Sequence, residues 1–367
     1  MKRKKLLLWS LLMVISLLLW GEGIGNAAVT GRCDNCHTMH NSQDGSDLYA
    51  SGPYDHLLVG GCVGCHSSST EEQTYNLGTS TVPVVNYTGG EPSTYLAGGN
   101  FWWVATAGGN DDTKGHNVME ISAQDTNISA TEEAPGNTYC TGAGGCHQTL
   151  AVKQTVQSTL GSGCQGCHLN VQHHTYDGSG TKYVGTAPWY RFLSGHSGGA
   201  AANYGVEGIE DDDWQKTVSA ADHNEYKGLT GENSGTIMAG DGTMTAFCSG
   251  CHGNFHSEQD TGTPGQWTRH PSDFTIPNSG EYASVADYDP LSPVARTDSA
   301  MTGFGDTPSA TVTAGSDMVM CLSCHRPHGS PYADLLRWDY SSMVAGSGTG
   351  MNTGCFYCHS NKDQDED

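Results

Sequence analysis

Apolar residues crowd the start of this chain and are scattered thinly after it. Leu6 to Trp20 form an apolar run of 15 residues broken only by Ser10 and Ser16, short of the ~20 needed to cross a bilayer as a helix. Lys2, Arg3, Lys4 and Lys5 precede it, and the small residues Gly25-Asn26-Ala27 follow. Basic start, short apolar stretch and small-residue exit together predict an export signal over residues 1–27, leaving 28–367 as a single domain. No later stretch has the length and hydropathy of a span, so no membrane span is expected after signal removal. Beyond residue 27 convincing helical or strand periodicity is scarce. Long stretches such as 67–100 and 228–246 are rich in Gly, Ser, Thr and Asn. Short helices are expected only at certain cysteine strings and near Ser330–Trp338.

Loops of this length usually argue against a compact domain. The cysteines resolve the conflict. Twelve of the 14 fall in six Cys-x-x-Cys-His strings: Cys33-Cys36-His37, Cys62-Cys65-His66, Cys164-Cys167-His168, Cys248-Cys251-His252, Cys321-Cys324-His325 and Cys355-Cys358-His359. Two residues between the thiols form one tight turn that brings both sulfurs to one edge of a haem. The next residue then points its imidazole at the iron, the arrangement of a c-type haem attachment site. Zinc knuckles pair Cys-x-x-Cys units but do not need a histidine after each. Cys140 and Cys146, followed by His147, make a seventh site with a five-residue, glycine-rich interval. That interval can fold aside and still present both sulfurs. The alternative there is a disulfide, which would leave six haems c instead of seven.

Seven of the 17 histidines are thereby proximal ligands, and ten remain for the second axial positions. Supply exceeds demand, so every iron is expected to carry two histidines. Saturated irons favour electron carriage over catalysis, and axial ligation sets the potential within a range of ~0.8 V. His40, His256 and His328 lie three or four residues after a proximal histidine, a spacing that aims each at a neighbouring haem. His116, His223 and His270 are further candidates. His173 and His174 are adjacent, so one of them is expected to face an iron, with His174 favoured. His56 and His196 are read as surface or supporting histidines. The fold class expected is therefore mostly irregular coil with a few short helices, a multihaem cytochrome c wrapped around a continuous chain of covalent haems. The aromatic groups Phe101-Trp102-Trp103 and Trp189-Tyr190 are expected to pack against haem faces and edges.

The formal net charge is −23; without residues 1–27 the chain keeps 12 Lys+Arg against 38 Asp+Glu. Nucleic acid and anionic membrane are poor partners for such a surface. The acidic run Glu210 to Asp213 reads as a solvated loop, with calcium binding as the alternative.

Several strings resemble the outer-surface multihaem c-type cytochromes that form extracellular filaments, the OmcS-like cytochrome nanowires. They are Cys-Asp-Asn-Cys-His-Thr-Met-His-Asn-Ser (33–42), Lys-Gly-His-Asn (114–117), Cys-Ser-Gly-Cys-His with Phe-His (248–256), Arg-His-Pro (269–271), Cys-Leu-Ser-Cys-His-Arg-Pro-His (321–328) and the terminal Cys-x-x-Cys-His with its short tail (355–367). The resemblance implies little regular secondary structure, a continuous haem stack, and secretion to the cell surface or beyond. It implies extracellular electron transfer, with other redox cytochromes or extracellular acceptors as partners, rather than enzymatic turnover. It also implies that His40 coordinates the haem of Cys321-Cys324-His325 in the next copy, making a homopolymer, and that His116, His256, His270 and His328 serve within the chain. Region 140–235 has no counterpart in the resemblance, so His174 and His223 rest on the residue count alone. The alternatives are a monomeric periplasmic shuttle and, less favoured, an oxyanion reductase with an open iron at His147.

Overall fold

The computed structural model describes residues 29–38, 40–43, 46–47, 57–127, 149–152, 163–169, 171–175, 180–185, 188–194, 205–229, 242–252, 270–282, 284–285, 287–297, 307–346 and 353–362. The signal segment, the Cys140–Cys146–His147 site, His256, His56 and His196 lie outside them.

Most of the described backbone is irregular, as the scarcity of periodicity predicts. Helical turns sit on the cysteine strings: Cys33–Asn35, Cys62–His66, Gly163–Gly166, Met244–Ser249, Cys321–Cys324 and Cys355–Cys358. The helix expected near Ser330–Trp338 shrinks to one turn, Ala333–Leu335, because Asp334 and Leu335 both take φ of 58° and break the right-handed path. Among the described residues no helix is long and apolar enough to cross a membrane.

A six-stranded sheet, which the sequence pattern does not announce, ties together pieces from residues 182 to 319. Its order is Phe274–Thr275, Met318–Val319, Ala295–Arg296, Glu225–Lys227, Gly208–Ile209, Lys182–Tyr183. Only the pairing of Ala295–Arg296 with Tyr226–Lys227 is parallel. One register row runs Tyr183, Gly208, Tyr226, Ala295, Met318, Thr275, so these residues share a face. Tyr183, Tyr226, Ala295 and Met318 of that row join Tyr190, Val206, Met244, Met320 and Leu322 in the main core, against which Cys248 packs. Gly208 must lack a side chain here, since a Cβ would lie 2.5 Å from the Glu225 carbonyl and 3.0 Å from the Tyr190 ring.

The sheet sets the haem-attachment turns in space. Met318–Val319 runs directly into the turn Cys321–Cys324. Helix Met244–Ser249 starts at Thr243, whose Oγ1 accepts from Ala246 N and donates to buried Asp273 at 2.8 Å. Two smaller apolar clusters hold Cys358 and Cys164 in the same way.

The acidic run is not a solvated loop throughout. Glu210 and Asp211 are buried: Arg191 bonds the Glu210 carboxylate from its backbone N–H and its guanidinium, and Asn224 accepts from Asp211 N at 3.0 Å.

Candidate haem-binding sites

Each described Cys-x-x-Cys-His string closes on itself in the same way. The histidine N–H donates to the carbonyl of the first cysteine, at 2.8 Å for His37, 2.9 Å for His168 and His252, 3.1 Å for His325 and 3.0 Å for His359. His66 ends the one-turn helix that begins at Cys62. This single α-turn puts thiols at i and i+3 on one side, where both can meet the same flat edge.

The second axial side is assembled from distant parts of the chain. Ring centroids lie 6.0 Å apart for His37 and His174, 6.1 Å for His66 and His173, and 6.1 Å for His116 and His252. They lie 6.2 Å apart for His168 and His328, and 6.2 Å for His270 and His359. A metal held about 2 Å from each of two imidazole nitrogens requires roughly this centroid spacing, about 6 Å. Direct ring stacking would bring the centroids closer: His223 and Tyr288 are 3.5 Å apart.

That contrast bears on two of the expected ligands. His223 is fully buried, stacked on Tyr288, with Nδ1 against the Ser219 carbonyl at 3.3 Å and Nε2 enclosed without a partner. His223 thus stands apart from the five facing pairs. His173, passed over on the sequence, faces His66 while its neighbour His174 faces His37. The signal was the adjacency itself, since a turn at residues 173–175 sends successive rings to different proximal histidines.

Backbone carbonyls orient these rings. Nδ1 of His66, His168 and His325 meets the carbonyls of Pro83, Arg191 and Asp334 at 2.9, 2.8 and 2.6 Å. Nδ1 of His116 and His270 meets those of Pro327 and Pro271 at 2.6 and 2.8 Å. Each bond fixes the tautomer and leaves Nε2 with a lone pair for iron. Burial, with His168, His116 and His66 nearby, pushes His328 down to about 3. Burial, with His66 and His174 nearby, pushes His173 down to about 4. Both rings are therefore held neutral, the form that ligates.

The loop 326–329 is the junction. His328 N donates to Gly98 O at 2.8 Å, and Asn100 N donates to Gly329 O at 3.1 Å. A Cβ on Gly98 would stand 3.0 Å from the His328 ring, and one on Gly99 would stand 2.0 Å from Gly329 O. Glycines there let two backbones close around one ligand. Phe101 is buried beside His328, with ring centroids 4.9 Å apart. Trp103 instead donates to Glu91 at 3.1 Å, and Trp189 covers Gly205.

His325 and His40 differ from the rest. Both are exposed, as His173, His174 and His270 also are, and among the described residues neither joins the facing pairs at 6.0 to 6.2 Å.

The cysteine sulfurs, which stand in for thioether sulfurs of attached haem, form a series. The free Cys62 and Cys164 thiols lie within hydrogen-bonding reach of each other, as do those of Cys248 and Cys321. Cys65 lies within electrostatic reach of Cys36, Cys167 of Cys251, and Cys324 of Cys355. The six described sites thus adjoin one another in sequence order.

The surroundings fit haem by charge as well as spacing. Arg326 and Arg337 are buried, and among the described residues neither makes an ion pair, Asp289 acting on Arg337 only from beyond pairing distance. Arg337 Nε donates to Leu322 O at 2.6 Å and Arg326 donates to Ala97 O at 2.9 Å, while Arg326 Nε has no partner at all. Burial and the neighbouring Arg337 push Arg326 down to about 9. A buried cation without a counter-ion is costly, and haem propionates would supply the missing charge.

Comparison with known proteins agrees with this geometry. A family model, the doubled CXXCH motif, matches residues 311–364. The C-type cytochrome OmcS of Geobacter sulfurreducens is 23% identical over 378 residues, covering 87% of this chain and 82% of that one. The solved Outer Membrane Cytochrome S filament from the same organism matches with a TM-score of 0.50 at 19% identity, covering 86% of this chain and 85% of that chain. The OmcS nanowires solved by cryo-electron microscopy match at 0.46 and 20% identity, over 91% of each. The chain carries c-type haem motifs in the fold of a multihaem cytochrome and resembles the outer-surface cytochrome OmcS along most of its length.

Proposed function

We propose that this protein moves electrons outside the cell through about seven bis-histidine haems c, and that copies of it polymerise so that the haem line continues from one to the next. It is an electron-transfer protein rather than an enzyme. The observation that carries the reading is the set of five facing imidazole pairs at 6.0 to 6.2 Å beside adjoining thioether positions. Paired imidazoles leave those irons no open position for a substrate, and adjoining attachment sites keep the haems close enough for electrons to hop.

In this reading Cys33, Cys36, Cys62, Cys65, Cys164, Cys167, Cys248, Cys251, Cys321, Cys324, Cys355 and Cys358 attach six haems, and Cys140 with Cys146 a seventh. The distal histidines are His173, His174, His116, His328, His270 and His256. The exposed ring of His40 supplies the missing ligand to the exposed His325 site of the neighbouring copy. The solved OmcS relative is a filament, which supports assembly of this kind. The protein acts at the cell surface or beyond it after loss of residues 1–27, exchanging electrons with other cytochromes or with external acceptors.

The test is His40→Ala in the full exported chain. The variant is expected to keep its full haem load, fail to form filaments, and gain one high-spin haem that binds cyanide. Filaments persisting in it would refute the bridging role. Intact mass decides the count, because a mass equal to six haems would remove the seventh. An all-low-spin spectrum from dispersed single particles would favour a monomeric shuttle instead.

A further inference from the structure

The described proximal histidines share one backbone turn but differ in what the far ring nitrogen meets. For His66, His168 and His325 it is a backbone carbonyl. For His359 it is a carboxylate: Nδ1 lies 2.6 Å from Glu281 Oε1. Glu281 is held there from several sides. Asn361 N and Ser360 Oγ donate to its carbonyl at 2.8 and 3.2 Å, Asn361 Nδ2 donates to Gly280 O at 3.1 Å, and Lys362 Nζ stands 3.4 Å from Oε2. The next residue, Tyr282, packs its ring 4.8 Å from that of His359. Turn Gly280–Tyr282 is thereby clamped onto residues 359–362, and the carboxylate position follows from the backbone.

We propose that Glu281 sets the potential of the haem that Cys355, Cys358 and His359 would hold, making it lower than at the His66, His168 and His325 sites. The inference rests on the reading of His359 as an iron ligand. A carboxylate drawing on the Nδ1 proton makes the imidazole a stronger donor, and a stronger donor favours oxidised over reduced iron. A carbonyl does this less, because it carries no charge. The adjoining Cys321–His325 site has different surroundings, with Arg326 and Arg337 buried and, among the described residues, in no ion pair. One electron passing from the reduced His359 site to the oxidised His325 site therefore runs downhill. No bond is made or broken, and the proton stays between Nδ1 and Oε1.

Glu281→Gln keeps the shape and an acceptor and removes the charge. In a potentiometric titration of the purified, haem-loaded full chain, it is expected to move a single one-electron component to higher potential. The low-spin electron paramagnetic resonance spectrum of one haem should change with it, and Glu281→Asp should restore part of both. A titration curve superimposable on that of the parent, at unchanged haem content, would overturn the proposal. Should Glu281→Gln fail to mature, Lys362→Met is the second variant. Removing the competing cation should move the same component to lower potential, and no movement would overturn the proposal. A proteolytic peptide spanning 355–358 without attached haem mass would instead sink the ligand reading on which the proposal stands.

Discussion

Two regions of the molecule bury cations, and they neutralise them differently. In the six-stranded sheet each buried cation has a carboxylate. Arg296 meets Glu225 at 2.7 Å and also Asp317, and Lys227 meets Glu207 at 3.2 Å. In the loop that follows the Cys321 turn, Arg326 and Arg337 are equally buried and meet only carbonyls and aromatic faces, such as the Tyr95 ring 4.9 Å from the Arg326 guanidinium. The sheet is electrostatically complete as a polypeptide. The loop is incomplete without the acidic groups that attached haem would bring. The difference separates the part of the fold that the chain can stabilise by itself from the part that waits for its cofactor.

Removing a cation from the complete region should have the largest effect. Arg296→Met strands Glu225 and Asp317, which are 2% and 7% exposed, and should cost roughly 3–5 kcal/mol. Guanidinium unfolding of the haem-loaded protein measures this, and a cost under about 1 kcal/mol would erase the contrast.

The loop yields a prediction whose sign carries the information. If haem carboxylates face Arg326, Arg326→Met should destabilise the loaded protein by about 1.5–3 kcal/mol, the range for a hydrogen bond to a charged group, and lower one potential. If nothing faces it, removing a desolvated, uncompensated cation should stabilise the protein.

The smallest effect tests the edge of the sheet region, where acids outnumber cations. Burial, then the neighbouring Asp213, push Asp211 up to about 7. The folded protein therefore holds this proton where the unfolded chain, at about 3.9, has released it. Between those values the unfolded state binds fewer protons, so this group's contribution to stability falls as pH rises from about 4 toward 7 and is flat above. The coupled Asp213 carboxyl is shifted down, and its own contribution is lost only at more acid pH. Asp211→Asn keeps the acceptor for Gln215 N and should flatten the melting temperature between pH 5 and 7. An unchanged slope would place the proton elsewhere.

How much could be read from residues alone varies along the chain. The attachment turns were legible, because two thiols and an imidazole meeting one haem edge demand a fixed local spacing, and a single α-turn provides it. The distal histidines were only half legible. Their number could be counted, but residues alone do not show that His223 stacks on Tyr288 or that His173 and His174 both face a proximal ring. A histidine in Asp-His-Asn-Glu looks as available as one in a glycine loop until Tyr288 is found against its face. Two adjacent histidines look redundant until each is seen facing a different proximal ring. The sheet was invisible because strands of two or three residues are too short to show alternation.

What the sequence by itself determined is local: six Cys-x-x-Cys-His strings whose spacing suits c-type haem attachment. Such strings depend on residues within a few positions of one another. Only the tertiary structure decided which imidazole faces which, which buried charges are matched, and that His359 leans on a carboxylate 78 residues away. Such pairings join segments that share no local pattern, so their geometry comes into being only when the chain closes.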